Sequence, residues 1–289
     1  MISFGDVLNS LEDFKPILIK SSQSKHLLVI EDCIKVMQEM PSESVDLIIT
    51  DPPYNVGLNY GLYFKDRKDK EKYFSDCKIW LKECARILSQ TGSFYLISYP
   101  EINARLLPYI EDELKLIFKR WITWHYPTNI GHSKTNYTRS QRSILFFTKS
   151  NNYIFNRENI LQPYKNPEVG KIKKLIDDGS KGRVSYCSLK PSDLGELEYD
   201  LMDFLEINLL KNVSKDRFNK KHPCQLPLQL LEILVKVSSK KNDVLLDPFA
   251  GTFTLSAVAS KLKRNSIGIE INPKYVKLGL KRLKNETAR

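Results

Sequence analysis

A carboxylate and an aromatic ring stand close together in the tetrapeptide Asp51-Pro52-Pro53-Tyr54. It follows an apolar run, residues 45–50, whose β-branched content is typical of a strand buried on both faces. Because prolines cannot donate ladder hydrogen bonds, the strand must end there in a stiff turn. A hydrogen-bond acceptor beside a stacking surface suits a pocket for a planar ring that carries an amino group. The alternative is a structural Asp-Pro turn whose tyrosine lies in the core.

Three other acids, Asp32, Asp247 and Glu270, also come directly after predicted strands. Ligands of an open parallel sheet bind outside the carboxyl ends of its strands, so these acids and Asp51 would meet at one edge. Glu270 lies 19 residues beyond Gly251, a spacing that suits an acid bound to ribose hydroxyls. No dinucleotide or P-loop glycine motif is present, which disfavours those two nucleotide-binding classes. Ordinary acidic turns after strands are the structural alternative.

Strands alternate with helices along most of the chain. Strands are predicted at residues 26–30, 45–50, 93–97, 116–126, 143–148, 243–246 and 266–269. Helices are predicted at 34–40, 72–88, 100–113, 227–237, 252–262 and 273–283. This alternation predicts an α/β fold with a doubly wound, mostly parallel sheet. The pattern fades between residues 151 and 221, where 200–210 alone has helical spacing, so we expect an inserted region there.

The composition favours a polyanionic partner. The chain of 289 residues has 45 Lys and Arg against 34 Asp and Glu, a formal net charge of +11. The excess is concentrated in residues 128–183, which hold eleven basic and four acidic side chains. Such a stretch suits contact with phosphates, and a solvated basic face is the alternative.

The sequence also indicates a cellular compartment. It has no basic and apolar leader and no run of about 18 apolar residues that would cross a bilayer. Its five cysteines, at positions 33, 77, 84, 187 and 224, form no C-x-x-C pair. Reduced thiols in a cytoplasm fit this pattern better than disulfides or a zinc site. We therefore expect a cytoplasmic protein without metal or membrane.

Two motifs together resemble those of a known family. Asp51-Pro52-Pro53-Tyr54 upstream and Asp247-Pro248-Phe249-Ala250-Gly251 downstream resemble motifs of the amino-group DNA methyltransferases that use S-adenosylmethionine. With the catalytic motif first, their order is similar to the permuted β class of restriction-modification enzymes. Residues 222–227, His-Pro-Cys-Gln-Leu-Pro, resemble the H-P-x-Q-x-P segment of that class, and 28–33 resemble its strand ending in Gly-Asp-Cys. The resemblance covers nearly the whole chain and implies a Rossmann-like methyltransferase fold with permuted motifs.

The resemblance implies a role for each motif residue. Asp51 and the Pro52 carbonyl would accept hydrogen bonds from the target amino group, with Pro53 in the same catalytic motif and Tyr54 stacking on an extruded base. Glu270 would hold the ribose of the cofactor and Asp32 would lie near its adenine. The remaining cofactor-binding residues would be His222, Gln225, Asp247, Pro248, Phe249, Ala250, Gly251 and Thr252. One departure is Phe253, which stands where the family usually has a second glycine, so we expect the close backbone approach there to be disturbed and cofactor affinity lowered.

The resemblance also implies a division of the chain and a substrate. Residues 1–150 would form the catalytic half of the methyltransferase domain, 151–221 a target-recognition insertion, and 222–289 the cofactor-binding half. Lys134, Arg139 and Arg142 are the candidate contacts to duplex phosphates. An initial Asp in the tetrapeptide is similar to the adenine-N6 enzymes, whereas cytosine-N4 enzymes of the family more often begin with Ser.

Alternatives and partners remain open at this point. A cytosine-N4 enzyme is the main alternative, followed by an RNA or protein methyltransferase and then a non-enzymatic DNA-binding module. A cognate restriction endonuclease acting on the same site is a possible partner, and the protein would be a monomer or a homodimer.

Overall fold

The computed structural model describes residues 2–58, 66–126, 135–159, 162–163, 198–199, 204–207 and 224–287. The chain forms two compact units. Met1–Phe155 and Asp203–Arg289 make the first, and Asn156–Met202 make the second. Within the described ranges, no helix is both long and apolar enough to span a membrane.

The first unit contains a nine-stranded sheet. In chain order its strands are β1 (Ile17–Lys20), β2 (Lys25–Val29), β3 (Val45–Thr50), β4 (Leu88–Ser98), β5 (Ile117–His125), β6 (Gln141–Thr148), β9 (Phe204–Glu206), β10 (Val244–Asp247) and β11 (Asn265–Ile269). Across the sheet they run in the order β1-β2-β11-β10-β3-β4-β6-β5-β9. The five central strands, β2, β11, β10, β3 and β4, run parallel to one another. The predicted doubly wound, mostly parallel α/β fold is therefore confirmed, with antiparallel pairs at β1-β2, β4-β6 and β6-β5.

Helices connect and cover these strands. They are α1 (Phe4–Ser10), α2 (Cys33–Glu39), α3 (Lys70–Ile87), α4 (Pro100–Pro108), α5 (Leu228–Ser238), α6 (Thr254–Lys261) and α7 (Pro273–Thr287), and a π-helical turn, Tyr109–Glu113, continues α4. Asp32 caps α2 and Asp69 caps α3 by accepting from backbone N–H groups of their first turns, as short acids at this position do. Pro100 begins α4, where its missing N–H costs nothing.

Two apolar clusters pack on the sheet. The larger joins α2, α3 and α4 to strands β2, β3, β4 and β6. The smaller joins β1 and β2 to α6 and α7 around Phe253. The strand β3 is buried at five of its six residues, which agrees with the uninterrupted apolar run that predicted it.

One local prediction was wrong. Residues 200–210 have helical spacing, but Phe204–Glu206 form a strand that pairs in parallel with Thr123–His125 of β5. The indole N–H of Trp124 donates to the Ile207 carbonyl over 2.8 Å, so edge pairing overrides the local pattern here. The second unit contributes a short antiparallel pair, β7 (Gln162–Pro163) with β8 (Glu198–Tyr199). The division into residues 1–150, 151–221 and 222–289 stays a prediction.

Candidate active site

Four acids meet at the carboxyl edge of the parallel strands. Asp247 ends β10, while Asp51, Glu270 and Asp32 follow β3, β11 and β2 within three residues. These four strands are adjacent in the sheet, so the topology alone brings the acids together. A cleft runs along this edge. It is lined by Glu31, Asp32, Cys33, Asp51, Pro53, Cys224, Gln225, Leu226, Leu231, Asp247, Pro248, Phe249, Ala250, Gly251, Thr252, Thr254, Ile269, Glu270, Ile271, Asn272 and Tyr275.

The turn after β10 is tied to the end of β11 through Glu270. One oxygen of this carboxylate accepts from the Gly251 N–H over 2.9 Å, and the other accepts from the Asn272 N–H over 2.8 Å. Gly251 has a φ of +50°, a left-handed conformation that favours glycine. Asp247 accepts from the Phe249 N–H over 3.0 Å. These bonds fix two strand-end acids and the backbone between them.

Burial makes these acids hard to ionise. It raises the pKa of Asp247 to about 8, and the nearby Asp51 and Glu270 carboxylates add to this rise. Burial also raises the pKa of Glu270 to about 7, although two backbone N–H groups oppose it. Such clustering of buried acids with shifted pKa values is typical of ligand-binding and catalytic sites.

Phe253 does not line the cleft. Its φ of +59° is the left-handed conformation that glycine favours, while its ring is fully buried in the smaller apolar cluster. The ring fills space that two glycines leave free, because a Cβ at Gly268 or Gly279 would collide with it. The substitution is therefore accommodated on the core side of the turn, away from the cleft.

The tetrapeptide after β3 is held from several sides. The Tyr54 hydroxyl donates to Asp51 Oδ1, and the Tyr73 hydroxyl of α3 donates to the Pro53 carbonyl over 2.9 Å. Pro52 is buried. Asp66 then secures the following backbone, since its carboxylate accepts from the N–H groups of residues 55, 56 and 58 over 2.7, 3.2 and 3.0 Å.

Tyr54 and Arg142 contact the Asp51 side chain, which is 9% exposed, and two further rings and a second arginine pack behind them. We call Tyr54, Tyr99, Trp124, Arg139 and Arg142 the aromatic–arginine wall. Arg142 Nη1 lies 3.6 Å from Asp51 Oδ2, and its guanidinium carbon is 5.1 and 5.3 Å from the ring centroids of Tyr54 and Trp124. The Tyr54 and Tyr99 rings are 4.6 Å apart, and Tyr54 is 2% exposed. Burial raises the pKa of Asp51 to about 7, and Arg142 opposes the rise.

The candidate phosphate contacts differ in their surroundings. Arg139 has a side chain 41% exposed and donates to both carboxylate oxygens of Glu101, over 2.6 and 3.1 Å. Its guanidinium carbon lies 3.8 Å from the Tyr99 ring centroid. Arg142 is instead enclosed beside Asp51. Lys134 and the predicted cofactor residue His222 lie outside the described residues.

Several parts of this site have no local signature in the sequence. The positions of Tyr73, Asp66 and Tyr99 depend on how α3 and β4 fold against the tetrapeptide. Arg142 could be recognised as basic but not as a neighbour of Asp51. The predicted residues Asp32, Asp51, Pro53, Gln225, Glu270 and 247–252 all line the same cleft.

Known proteins are similar to this chain in both sequence and fold. The profile of the DNA methylase family of N6 and N4 methyltransferases matches residues 45–281. The DNA adenine methyltransferase YhdJ of Escherichia coli is 35% identical over 87% of this chain and 80% of its own length. The type II methyltransferase M.HpaI of Haemophilus parainfluenzae is 32% identical over 90% of this chain and 74% of its own.

Solved structures give the same fold. The cytosine-N4-specific PvuII DNA methyltransferase superposes with a TM-score of 0.63 at 16% identity, covering 94% of this chain and 96% of that one. The M1.HpyAVI–SAM complex superposes with a TM-score of 0.58 at 21% identity, covering 89% and 98%. By its sequence and its fold, this chain belongs to the DNA methylase family and is a DNA methyltransferase that acts on exocyclic amino groups.

Proposed function

We infer that this enzyme transfers a methyl group from S-adenosylmethionine to the exocyclic amino group of an extruded DNA base, at a specific sequence. One observation carries the inference. Asp51, the acceptor in the tetrapeptide, opens onto the same cleft as Glu270 and the turn 247–251. A base amino group held at Asp51 would therefore face a ligand held at the ends of β10 and β11.

The residues present fit S-adenosylmethionine. Five acids and no Lys or Arg stand among the residues that line the cleft, which favours a ligand that carries a cationic sulfonium. Gly251 exposes backbone there, and Glu270 is placed to accept from ribose hydroxyls. The buried Thr252 hydroxyl has no hydrogen-bond partner in the described part of the chain, so a bound ligand can supply one. When bound, S-adenosylmethionine provides an electrophilic methyl group.

Asp51 and the Pro52 carbonyl would prepare the amino group for attack. An exocyclic amine is a poor nucleophile because its lone pair is delocalised into the ring. Two acceptors that hold its two hydrogens draw the nitrogen toward tetrahedral geometry and return the lone pair to nitrogen. Positioning then supplies much of the acceleration. The methylated amine is acidic and loses its proton, so no strong base is required.

The base must leave the helix to reach this cleft. Extrusion costs a few kcal/mol, and stacking on an aromatic ring such as Tyr54 can return about 1–3 kcal/mol. Phosphate contacts by Lys134 and Arg139 would add binding energy. Residues 151–221 would select the sequence. Arg142 is not among these phosphate contacts, because its side chain is enclosed beside Asp51.

Adenine N6 is the target we favour. The tetrapeptide begins with Asp, and the relative from Escherichia coli is named an adenine methyltransferase. Cytosine N4 is the second candidate, because its amino group has the same chemistry and a cytosine-N4 enzyme shares the fold. We further propose a cytoplasmic protein, a monomer or homodimer, whose partner is a restriction endonuclease with the same site.

The test is transfer of labelled methyl groups from S-adenosylmethionine to unmethylated duplex DNA. Mass spectrometry of the hydrolysed product should show N6-methyladenine, and mapping should show one sequence context. N4-methylcytosine would replace the adenine assignment. Label entering only RNA or protein, or no transfer alongside tight DNA binding, would refute the proposal.

A further inference from the structure

Arg142 is a buried cation within reach of the catalytic carboxylate. It is the second residue of β6 and is 8% exposed. One arm of its guanidinium, Nη1, lies 3.6 Å from Asp51 Oδ2, and the other, Nη2, donates to Cys224 Sγ over 2.9 Å. Removing a charge from water is costly unless a partner compensates it. The opposite charge of Asp51 is that compensation.

We propose that Arg142 is a positioning residue for methyl transfer, which keeps Asp51 anionic and fixes the orientation in which it accepts the target amino group. This rests on the proposed function, since it assigns Arg142 a task in the same reaction. This role replaces the expectation from the sequence that Arg142 contacts the phosphates of a DNA duplex.

The surroundings of Asp51 explain why it needs a counter-ion. From its own turn, the Tyr54 hydroxyl donates to it; from α3, Tyr73 faces it with a neutral hydroxyl. Asp247, at the end of β10, is close enough for the Asp51 carboxylate to raise the pKa of Asp247, which burial has already raised to about 8. Burial raises the pKa of Asp51 to about 7 and Arg142 opposes this. Without the arginine, more of Asp51 would be protonated at neutral pH and would present a hydroxyl where acceptors are required.

The surroundings of the Arg142 guanidinium argue against a contact with DNA phosphate. Its guanidinium carbon lies 5.1, 5.3 and 5.9 Å from the ring centroids of Tyr54, Trp124 and Tyr99, distances typical of cation–π contacts. These rings hold the planar group in place and shield it. Arg139, three residues earlier, has a side chain 41% exposed and is the better placed of the two for DNA.

The experiment compares pH–rate profiles of single-turnover methyl transfer for wild type, Arg142→Gln, Arg142→Met and Arg142→Lys. With the cofactor and DNA saturating, the apparent pKa of the wild-type rate reports the group that must be ionised. Both neutral variants should raise that pKa by about 1 or more. Their rate should therefore fall about fivefold or more at pH 7 and recover in alkali. Arg142→Lys should restore most of the wild-type profile, because it keeps the charge.

Two outcomes overturn the proposal. An equal loss of rate at every pH would mean that Arg142 only supports the fold. Weaker DNA binding, with the slope of log affinity against log salt reduced by about 1 and the pH profile unchanged, would return it to phosphate contact.

A double-mutant cycle keeps the test decisive if the neutral variants are unstable. Arg142→Gln removes the partner of the buried Asp51 carboxylate, which must then take up a proton or stay unpaired, so the thermal midpoint should drop by about 5 °C. In the Asp51→Asn background the same change should cost much less. Equal losses in both backgrounds would refute the pairing. This cycle measures stability and requires no methyl transfer, so it tests the pairing of Arg142 with Asp51 independently of the proposed function. The proposed function is tested separately, by methyl transfer from labelled cofactor with the wild-type enzyme.

Discussion

The two ends of the cleft are built differently. At the end proposed to bind the cofactor, acids at the strand ends and the turn after β10 line open space. At the end proposed to bind the base, Tyr54 and Arg142 of the aromatic–arginine wall contact Asp51, and the Tyr54 ring is buried against Tyr99. For a base to stack on the face of Tyr54 that Tyr99 covers, Tyr99 would have to move. The proposed cofactor end is therefore open in this structure, and we expect the proposed base end to rearrange when DNA binds.

The charges of the two ends differ as well. Acids line the cofactor end of a chain whose net charge is +11. The base end contains two arginines, Arg139 and Arg142, each beside a carboxylate. A cationic cofactor and an anionic duplex can thus approach adjoining regions of one edge without competing for the same charges. Substitutions at one end should leave the other end's ligand largely unaffected.

The largest effect is expected at the base end. Asp51→Ala should lower methyl transfer by about 10³-fold or more, because it removes the acceptor that positions the amino group. The dissociation constant of S-adenosylmethionine, measured by calorimetry, should change little. Activity within tenfold of wild type would remove Asp51 from the centre of the mechanism. A parallel loss of cofactor binding would show that the two ends are not separable.

Substitutions of Phe253 test whether this side chain, at a position where the family usually has glycine, affects cofactor binding. Phe253→Ala should lower the free energy of unfolding by about 3–5 kcal/mol, because it empties the slot beside Gly268 and Gly279. Phe253→Gly should be about 1 kcal/mol less damaging than Phe253→Ala, since glycine is unstrained at a φ of +59°. Urea unfolding measures both. Cofactor affinity should stay within about threefold; a large gain in affinity in either variant would mean that the ring does obstruct the cleft.

The same contrast explains what could be predicted from sequence. The cofactor end is local in sequence: apolar strands, then an acid, then a turn, repeated at Asp247 and Glu270. Sheet topology alone brings these ends together, so their clustering was predictable. The base end is not local. Ser98 pairs with Ser143 between antiparallel strands, and this register brings Tyr99 beside Arg142, although 43 positions separate them in the numbering.

The wrong helix at 200–210 has the same physical origin. Leu201, Phe204 and Leu205 have helical spacing, yet Phe204–Glu206 complete the edge of the sheet beside β5. Partners distant in the chain decide the structure at such places, and periodicity cannot reveal them. The position of Arg142 has the same origin: its basic stretch predicts contact with phosphates, whereas the pairing of β6 with β4 and β5 encloses its side chain.

A substitution of Glu270 should affect cofactor binding and leave the base end unchanged. Glu270→Gln should weaken S-adenosylmethionine binding by about 1.5–3 kcal/mol, or roughly tenfold to hundredfold, because a charge-assisted bond to ribose is lost. At saturating cofactor the rate of methyl transfer should be largely kept. Glu39→Gln, an exposed change on α2, is the matched control. An unchanged dissociation constant would remove Glu270 from the ribose site.

The smallest effect is expected where DNA must displace an internal partner. Arg139 is bound to Glu101 by two hydrogen bonds, so a phosphate has to compete with that carboxylate. Arg139→Ala should weaken DNA binding by up to about tenfold and reduce the salt slope by about 1. Glu101→Gln should have the opposite sign and strengthen binding, because it releases Arg139 to the phosphate.

A control variant at the opposite edge of the sheet is needed to interpret Arg139→Ala and Glu101→Gln. Lys240 is exposed and precedes β10, so it lies far from the carboxyl edge where the cleft opens. Lys240→Ala removes the same charge and should change DNA affinity and salt slope by much less. If both lysine and arginine variants weaken binding equally, net charge governs DNA binding and Arg139 is no specific contact. If Glu101→Gln weakens binding as Arg139→Ala does, the ion pair supports the wall and does not compete with DNA.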